Sequence, residues 1–455
     1  MSRGSVAGTM SAGEPELGGG ASNMGREAGG LVAPSRADGA SGTLVPTTAP
    51  PRVGGYRSVL RNRRFLIYQA SGILSSTGYA VYSISIPWIA YVYSGSFVIV
   101  GLVLFLEIGV YAFTFLAAPL VDRAADKRIV FLVGYPIQAV AAVVLAYAAA
   151  HGELQLPLLL VLVAVLSVAW DFEWAVFQVA PRLLLSKDEL FAGQGLGSAL
   201  GAGVQVGGYT AGAGLILVSG AVGSGFLYAG LLVGATLLAA LVPLRGGRAS
   251  EHDYLAGFLE GWKYLGTPEG RPLLQLGLLG AVSGFFSVAP AVLITLDANR
   301  SFTDPGLAYG VLFTSLVIGG VAVDLLLGHF NPRRRVGAVI VGSLSVSALA
   351  LFLTGVIPPS LPLAAGAWFL AGAGLSAYLA GSGTFLLGYV PENRLARVSS
   401  NLYVFRGAAG AVGALVVGVL ASELVPRSVA VIVALVFGIA ALASLLLPAV
   451  RTFAF

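Results

Sequence analysis

The sequence predicts an all-α membrane protein of twelve transmembrane helices arranged as two six-helix pseudo-repeats, and three observations carry the prediction. Hydrophobic residues make up 57% of the 455 and charged residues only 10%, far below the roughly 25% charged that covers a water-facing surface. Beyond about residue 55 the chain is a row of apolar stretches of about 20 to 30 residues, the length that crosses a hydrocarbon core as a helix. In lipid each backbone N–H and C=O must find a partner inside its own segment, so a helix fills each stretch. Finally, nearly every Arg and Lys falls in alternate joints between the stretches, the asymmetry that orients a membrane protein.

Residues 1–55 are rich in Gly, Ala, Ser and Pro without sustained periodicity and are expected to be a disordered cytoplasmic tail. They contain no apolar core of a signal peptide, so the first helix is expected to act as its own signal. The basic cluster Arg57, Arg61, Arg63 and Arg64 precedes the first span. An N-terminal six-helix bundle follows over 56–243, with spans at 65–92, 97–120, 129–150, 156–182, 190–218 and 221–243. The 244–271 linker is the longest and most charged joint. Within it Tyr254, Leu255, Phe258, Leu259 and Trp262 recur at helical spacing, predicting an amphipathic helix on the membrane surface. A C-terminal bundle over 272–455 carries spans at 272–297, 305–329, 336–356, 362–390, 397–422 and 427–450. Joints after the even spans hold the cations and those after odd spans only Arg300 and Arg427, so both termini are expected in the cytoplasm of a multi-pass cell-membrane protein.

Composition also excludes. No cysteine is present, which removes disulfides and thiolate chemistry. The three histidines (His151, His252, His329) fall at loops or helix ends, so no metal and no cofactor is expected. The net charge of +5 is spread over the joints and forms no basic domain, so nucleic acid is not an expected partner. No phosphate-binding Gly-x-x-x-x-Gly-Lys loop, His-Glu-x-x-His pair or Gly-x-Ser-x-Gly elbow occurs, and an enzyme is not expected.

The two halves echo one another. The joint after span two contains Pro119, Asp122, Arg123, Asp126, Lys127 and Arg128; that after span eight contains His329, Pro332, Arg333, Arg334 and Arg335. Ala180-Pro181-Arg182 after span four is matched by Val390-Pro391-Glu392 after span ten. Parallel repeats of this kind occur in transporters whose halves rock about a central site. Leu120, Asp122, Arg123, Lys127 and Arg128 resemble the signature that follows the second helix of the major facilitator superfamily, with Ala118 and Ala125 in place of its glycines and Asp126 in place of a base. Arg61-Asn62-Arg63-Arg64-Phe65, Glu260-Gly261-Trp262-Lys263-Tyr264 and Pro391-Glu392-Asn393-Arg394 resemble the enterobactin-exporter and macrolide-efflux branch. Gly203, Gly207, Gly208 and Gly212 in span five are similar to a drug-antiporter motif, or form a close-packed seam. The resemblance implies the major facilitator fold, a monomer, and a cytoplasmic gate at Asp122, Arg123, Lys127 and Arg128.

Ionisable groups at membrane depth are costly and mark functional candidates. Glu107 lies near the middle of span two, where a carboxyl can load and release a proton. Asp171 and Glu173 lie in span four between Trp170 and Trp174; two residues is about 200° on a helix, so one acid at most faces a central cavity. The two Trp, at i and i+4, share a face. Arg406 in span eleven needs an anion: an opposing carboxylate, the substrate or backbone carbonyls. Asp324 is a gate or capping candidate, and Gln69, Tyr79, Tyr82, Gln138, Gln178 and Gln205 are polar groups available to line a cavity. The expected function is a secondary active transporter, a proton-coupled exporter of a small amphipathic compound with protons and the lipid bilayer as partners; an importer or facilitative uniporter is the alternative, and a receptor or enzyme on the same fold ranks behind both.

Overall fold

The computed structural model describes residues 56–110, 117, 120–121, 123–186, 188–246, 254–287, 289–330, 335–358, 360–390, 392–447 and 450. The expected N-terminal tail, Asp122 and Lys187 lie outside the described residues, as do the side chain of Gln205 and most apolar side chains of the linker helix. Among the described residues all regular structure is helical, and the isolated bridge Asp126–Arg245 is the β-type pairing recorded.

A short turn, α1 (Tyr56–Val59), leads into α2 (Arg63–Ser94). Asn62 starts α2 by accepting from the Phe65 N–H at 3.1 Å, and Gly95 ends it at φ 64°, a left-handed conformation that favours glycine. There follow α3 (Phe97–Gly109), α4 (Arg128–Ala150), α5 (Leu156–Leu184) and α6 (Leu190–Ala240). After α7 (Tyr254–Leu265) in the linker come α8 (Arg271–Ser287), α9 (Ala289–Ser301), α10 (Pro305–Phe330), α11 (Val336–Val356), α12 (Leu361–Tyr389), α13 (Glu392–Glu423) and α14 (Pro426–Leu446). Proline stands in the first turn of α5, α12 and α14, where its missing N–H is no loss. Nine described segments are long and apolar enough to cross a membrane, and Phe97–Gly109 is a shorter apolar one.

Arg271–Ser301 reads as one apolar segment of 31 residues, in keeping with the expected span at 272–297, with Val288 outside the described residues. One stretch differs from the expected spans. Residues 190–218 and 221–243 are joined, because helical structure continues through all 51 residues of α6. A straight helix of that length would reach roughly 76 Å, against a hydrocarbon core of about 30 Å. The contacts show how it fits. Gly193, Gly208 and Gly212 meet Phe65, Ala80 and Ile84 in ascending order along α2, whereas Tyr228, Gly234 and Ala235 meet Gly78, Leu74 and Ser71 in descending order. The segment therefore doubles back between Gly212 and Tyr228, and both of its arms pack on α2.

Large apolar side chains such as Leu325, Leu349, Leu363, Ile439, Leu442 and Leu446 are exposed around the molecule, the surface a bilayer would cover. Small residues close the helix seams. A Cβ on Gly208 would lie 2.7 Å from the Ala80 Cβ, and one on Gly212 2.5 Å from Ile84, so these two glycines form a seam with α2. A Cβ on Gly203 or Gly207 would meet nothing within 4 Å among the described residues, so neither contributes to that seam there. In the linker, Trp262 of α7 packs edge-on against Phe405 of α13, with ring centroids 6.2 Å apart.

Candidate functional site

Helix directions place Gly95, Gly152, Arg300 and Leu424 at one end of the bundle and Asn62, Asp126, Leu184 and Leu244 at the other. The recorded contacts between the halves gather toward the Gly95 end. The Tyr309 hydroxyl of α10 donates to the Ile84 carbonyl of α2 at 2.6 Å, and Trp88 lies 5.1 Å from the Tyr309 ring. Tyr209 packs against Phe313. A Cβ on Gly101 would fall 2.6 Å from the Ala414 carbonyl and 3.1 Å from the Gly418 Cα, so α3 and α13 touch backbone to backbone. Arg300 sits over the Phe97 ring at 5.0 Å.

At the opposite end, the described polar contacts stay within one half. Asp126 accepts from the backbone N–H groups of Leu244 and Arg128, each at 3.0 Å, and pairs with the side chains of Arg128 (3.4 Å) and Arg245 (3.8 Å). Arg128 also donates to the Ala240 carbonyl at 2.9 Å. Lys127 is buried with its ammonium toward the Ala124 carbonyl, and Arg123 is exposed. Of the expected gate cations, Arg128 is thus the one whose side chain is tied to the end of α6 and to Asp126. Ser58 and Ser186 donate to Glu189, holding its carboxyl below the ordinary carboxylate value. Tyr389 donates to the Glu269 carbonyl at 3.1 Å.

Between these ends, Glu107 lies about ten residues into α3, or roughly 15 Å from the Gly95 end. It is 5% exposed. One of its oxygens accepts from the Tyr79 hydroxyl at 3.1 Å, and the other has no partner among the described residues. Tyr79 in turn stacks on Trp170 of α5, with centroids 3.9 Å apart and planes within 8°. Tyr209 and Tyr309 are further electrostatic neighbours of Glu107, so phenols from both halves surround one unpaired acid.

Glu173 is placed differently. It is fully buried inside the N-terminal half, accepting from Gln138 of α4 and from Ser75 of α2 at 3.3 Å. Tyr228 of α6 donates to Gln138 and stacks on Tyr82. A Cβ on Gly134 would lie 3.0 Å from the Glu173 carboxylate, so glycine there makes room for the acid. Gln138 and Tyr82 therefore belong to a network among α2, α4, α5 and α6. Asp171 is buried as well. Trp170 and Trp174 part company despite their shared face: the former is buried on Tyr79, the latter 44% exposed. Gln69 is half-buried near Gly197, and Gln178 is exposed.

In the C-terminal half, Asp324 is exposed and both its oxygens accept from Ser376 of α12 at 2.8 Å. Arg406 has no acid within 4.0 Å among the described residues; its electrostatic neighbours are the phenols of Tyr378 and Tyr403. The opposing-carboxylate partner expected as one option is absent there. Among the described residues no group of three or more His, Cys, Asp or Glu could hold a metal ion. The phenols of Tyr209, Tyr228 and Tyr309 escaped the sequence reading, because an aromatic in an apolar span gives no signal until a charge is placed beside it.

Residues 276–453 match the family model of the Major Facilitator Superfamily. No curated protein sequence matches the chain significantly. Among solved structures, the nucleoside transporter NupG superposes with a TM-score of 0.68 at 13% identity, covering 84% of this chain and 98% of that one. The POT family transporter PepTSo gives 0.67 at 14% identity over 86% and 98%. A bacterial homologue of the iron transporter ferroportin, in its inward-facing state, gives 0.63 at 15% identity over 84% and 98%. The chain is an all-α, multi-pass membrane protein with the major facilitator fold. Fold and family match together support a transporter of a small molecule.

Proposed function

We propose that this chain is a secondary active transporter, a proton-coupled exporter of a small amphipathic organic compound that works by alternating access between its six-helix halves. The observation that carries the reading is Glu107: a buried carboxyl at mid-depth, close to the seam between the halves, with one oxygen held by Tyr79 and the other without a partner among the described residues. An acid in that setting has two stable occupancies, protonated or facing a cation, and each favours a different packing of the seam. The cationic joints orient the Asn62 end toward the cytoplasm. On that orientation the contacts at Tyr309–Ile84 and Gly101–Ala414 hold the halves together toward the outer side.

Direction of transport is read from the resemblance to exporter sequences. Import or facilitated uniport on the same scaffold is the second reading, favoured by the range of transporters that share the fold. Glu107→Gln separates coupling from structure. With the purified protein in liposomes, the variant should fold and bind substrate but fail in counterflow. Loss of folding or of expression instead would assign Glu107 a structural role.

A further inference from the structure

The C-terminal half holds a fixed positive charge that the coupling reading leaves unused. Arg406 lies 17 residues before the end of α13 at Glu423, roughly 25 Å along the helix and deep within it. A guanidinium at this depth is costly unless an anion or several acceptors surround it. Among the described residues it has neither a carboxylate within 4.0 Å nor a recorded hydrogen bond, and it keeps some accessible surface. Its stem is fixed: a Cβ on Gly284 of α8 would lie 2.7 Å from the Arg406 Cγ, so the glycine lets the side chain lie across α8.

A second group waits beside it. The hydroxyl of Tyr378 on α12 is buried and has no hydrogen-bond partner among the described residues, while its phenol is an electrostatic neighbour of Arg406. A buried hydroxyl left unmade costs free energy that a ligand oxygen would recover. The exposed ring of Tyr403, one turn before Arg406, offers an aromatic face. Contacts of Ile108 with Gly410 and of Gly109 with Ala411 set the register of α3 against α13. In that register Arg406 lies about 7 Å farther from the Gly95 end than Glu107. The anion and the coupling acid therefore occupy separate places.

We infer that Arg406 and the Tyr378 hydroxyl form a subsite for the carboxylate of an aromatic organic acid, which makes the transported compound an amphipathic anion. Arg406 supplies the charge, Tyr378 donates to the same oxygens, and Tyr403 lies against the ring. The inference rests on the transport reading for its purpose, but binding tests it alone.

Thermal stabilisation of the purified full chain by 2-naphthoate, by the uncharged 2-naphthamide and by 2-naphthylmethylamine distinguishes the outcomes. Saturable stabilisation by the carboxylate and none by the amide is expected. Arg406→Gln should abolish it, and Tyr378→Phe, which keeps the ring, should weaken it about tenfold. Glu107→Gln should still bind naphthoate, and naphthoate binding to the wild-type chain without proton-linked flux would sink the coupling reading and leave the subsite standing. Equal binding of amide and carboxylate, preference for the amine, no binding of the carboxylate, or full affinity in both the Arg406 and Tyr378 variants would each overturn the subsite. Amine-driven proton flux without naphthoate binding would overturn it while leaving transport intact.

Discussion

Two acids illustrate how environment divides residues of the same type. Glu173 accepts from Gln138 and Ser75 within one half, whereas Glu107 has a single donor and sits beside the other half. Glu173 should accordingly behave as a scaffold residue. Glu173→Ala leaves the buried amide of Gln138 without its acceptor, costing about 1–3 kcal/mol for the unsatisfied group. The melting temperature of the purified protein should fall by several degrees, and Glu173→Gln, which retains an acceptor, should fall less. Equal stability of wild type and Glu173→Ala would show that the network contributes nothing. The sequence placed both acids at membrane depth but could not separate them, because helical spacing ranks faces without saying which neighbour each face meets. Arg406 shows the same limit: its depth was legible, while the absence of an acid within 4.0 Å among the described residues was not.

At the scale of elements, apolar length and charge alternation were sufficient for most helices, since both follow directly from the cost of exposing backbone or charge to lipid. The doubling of α6 was legible as two spans, although the helical structure runs on through the reversal. The seam between α3 and α13 was not legible. Gly101, Gly109 and Gly418 are unremarkable among 62 glycines, and only the fold pairs them across the halves. That seam makes a direct prediction. A Cβ built on Gly109 lies 3.7 Å from the Ala411 Cβ, within the range a disulfide spans. The chain contains no cysteine, so Gly109→Cys with Ala411→Cys gives an unambiguous crosslink. The pair should oxidise readily, stop transport, and release it again on reduction. Full transport by the crosslinked protein would mean that α3 and α13 do not separate during the cycle.

For the whole molecule, the pattern is one of two similar halves with different equipment. Among the described residues the N-terminal half carries Glu107, one oxygen of which has no partner, the C-terminal half carries Arg406, with no acid within 4.0 Å, and the recorded contacts between the halves gather at a single end. A structure closed at one end and tied within each half at the other can rock without breaking the intra-half contacts of Asp126, Glu173 or Asp324. Moving a proton onto Glu107 changes the charge beside the seam, which is where a small local change can shift two global packings. The most direct measurement is internal pH in liposomes holding the purified protein and a proton gradient, while aromatic acids, amphipathic amines and sugars are added in turn. An aromatic acid should collapse the gradient, and Glu107→Gln, still folded and still binding, should not respond. An equal collapse in the Glu107→Gln variant, or labelled substrate equilibrating with the gradient untouched, would contradict that expectation.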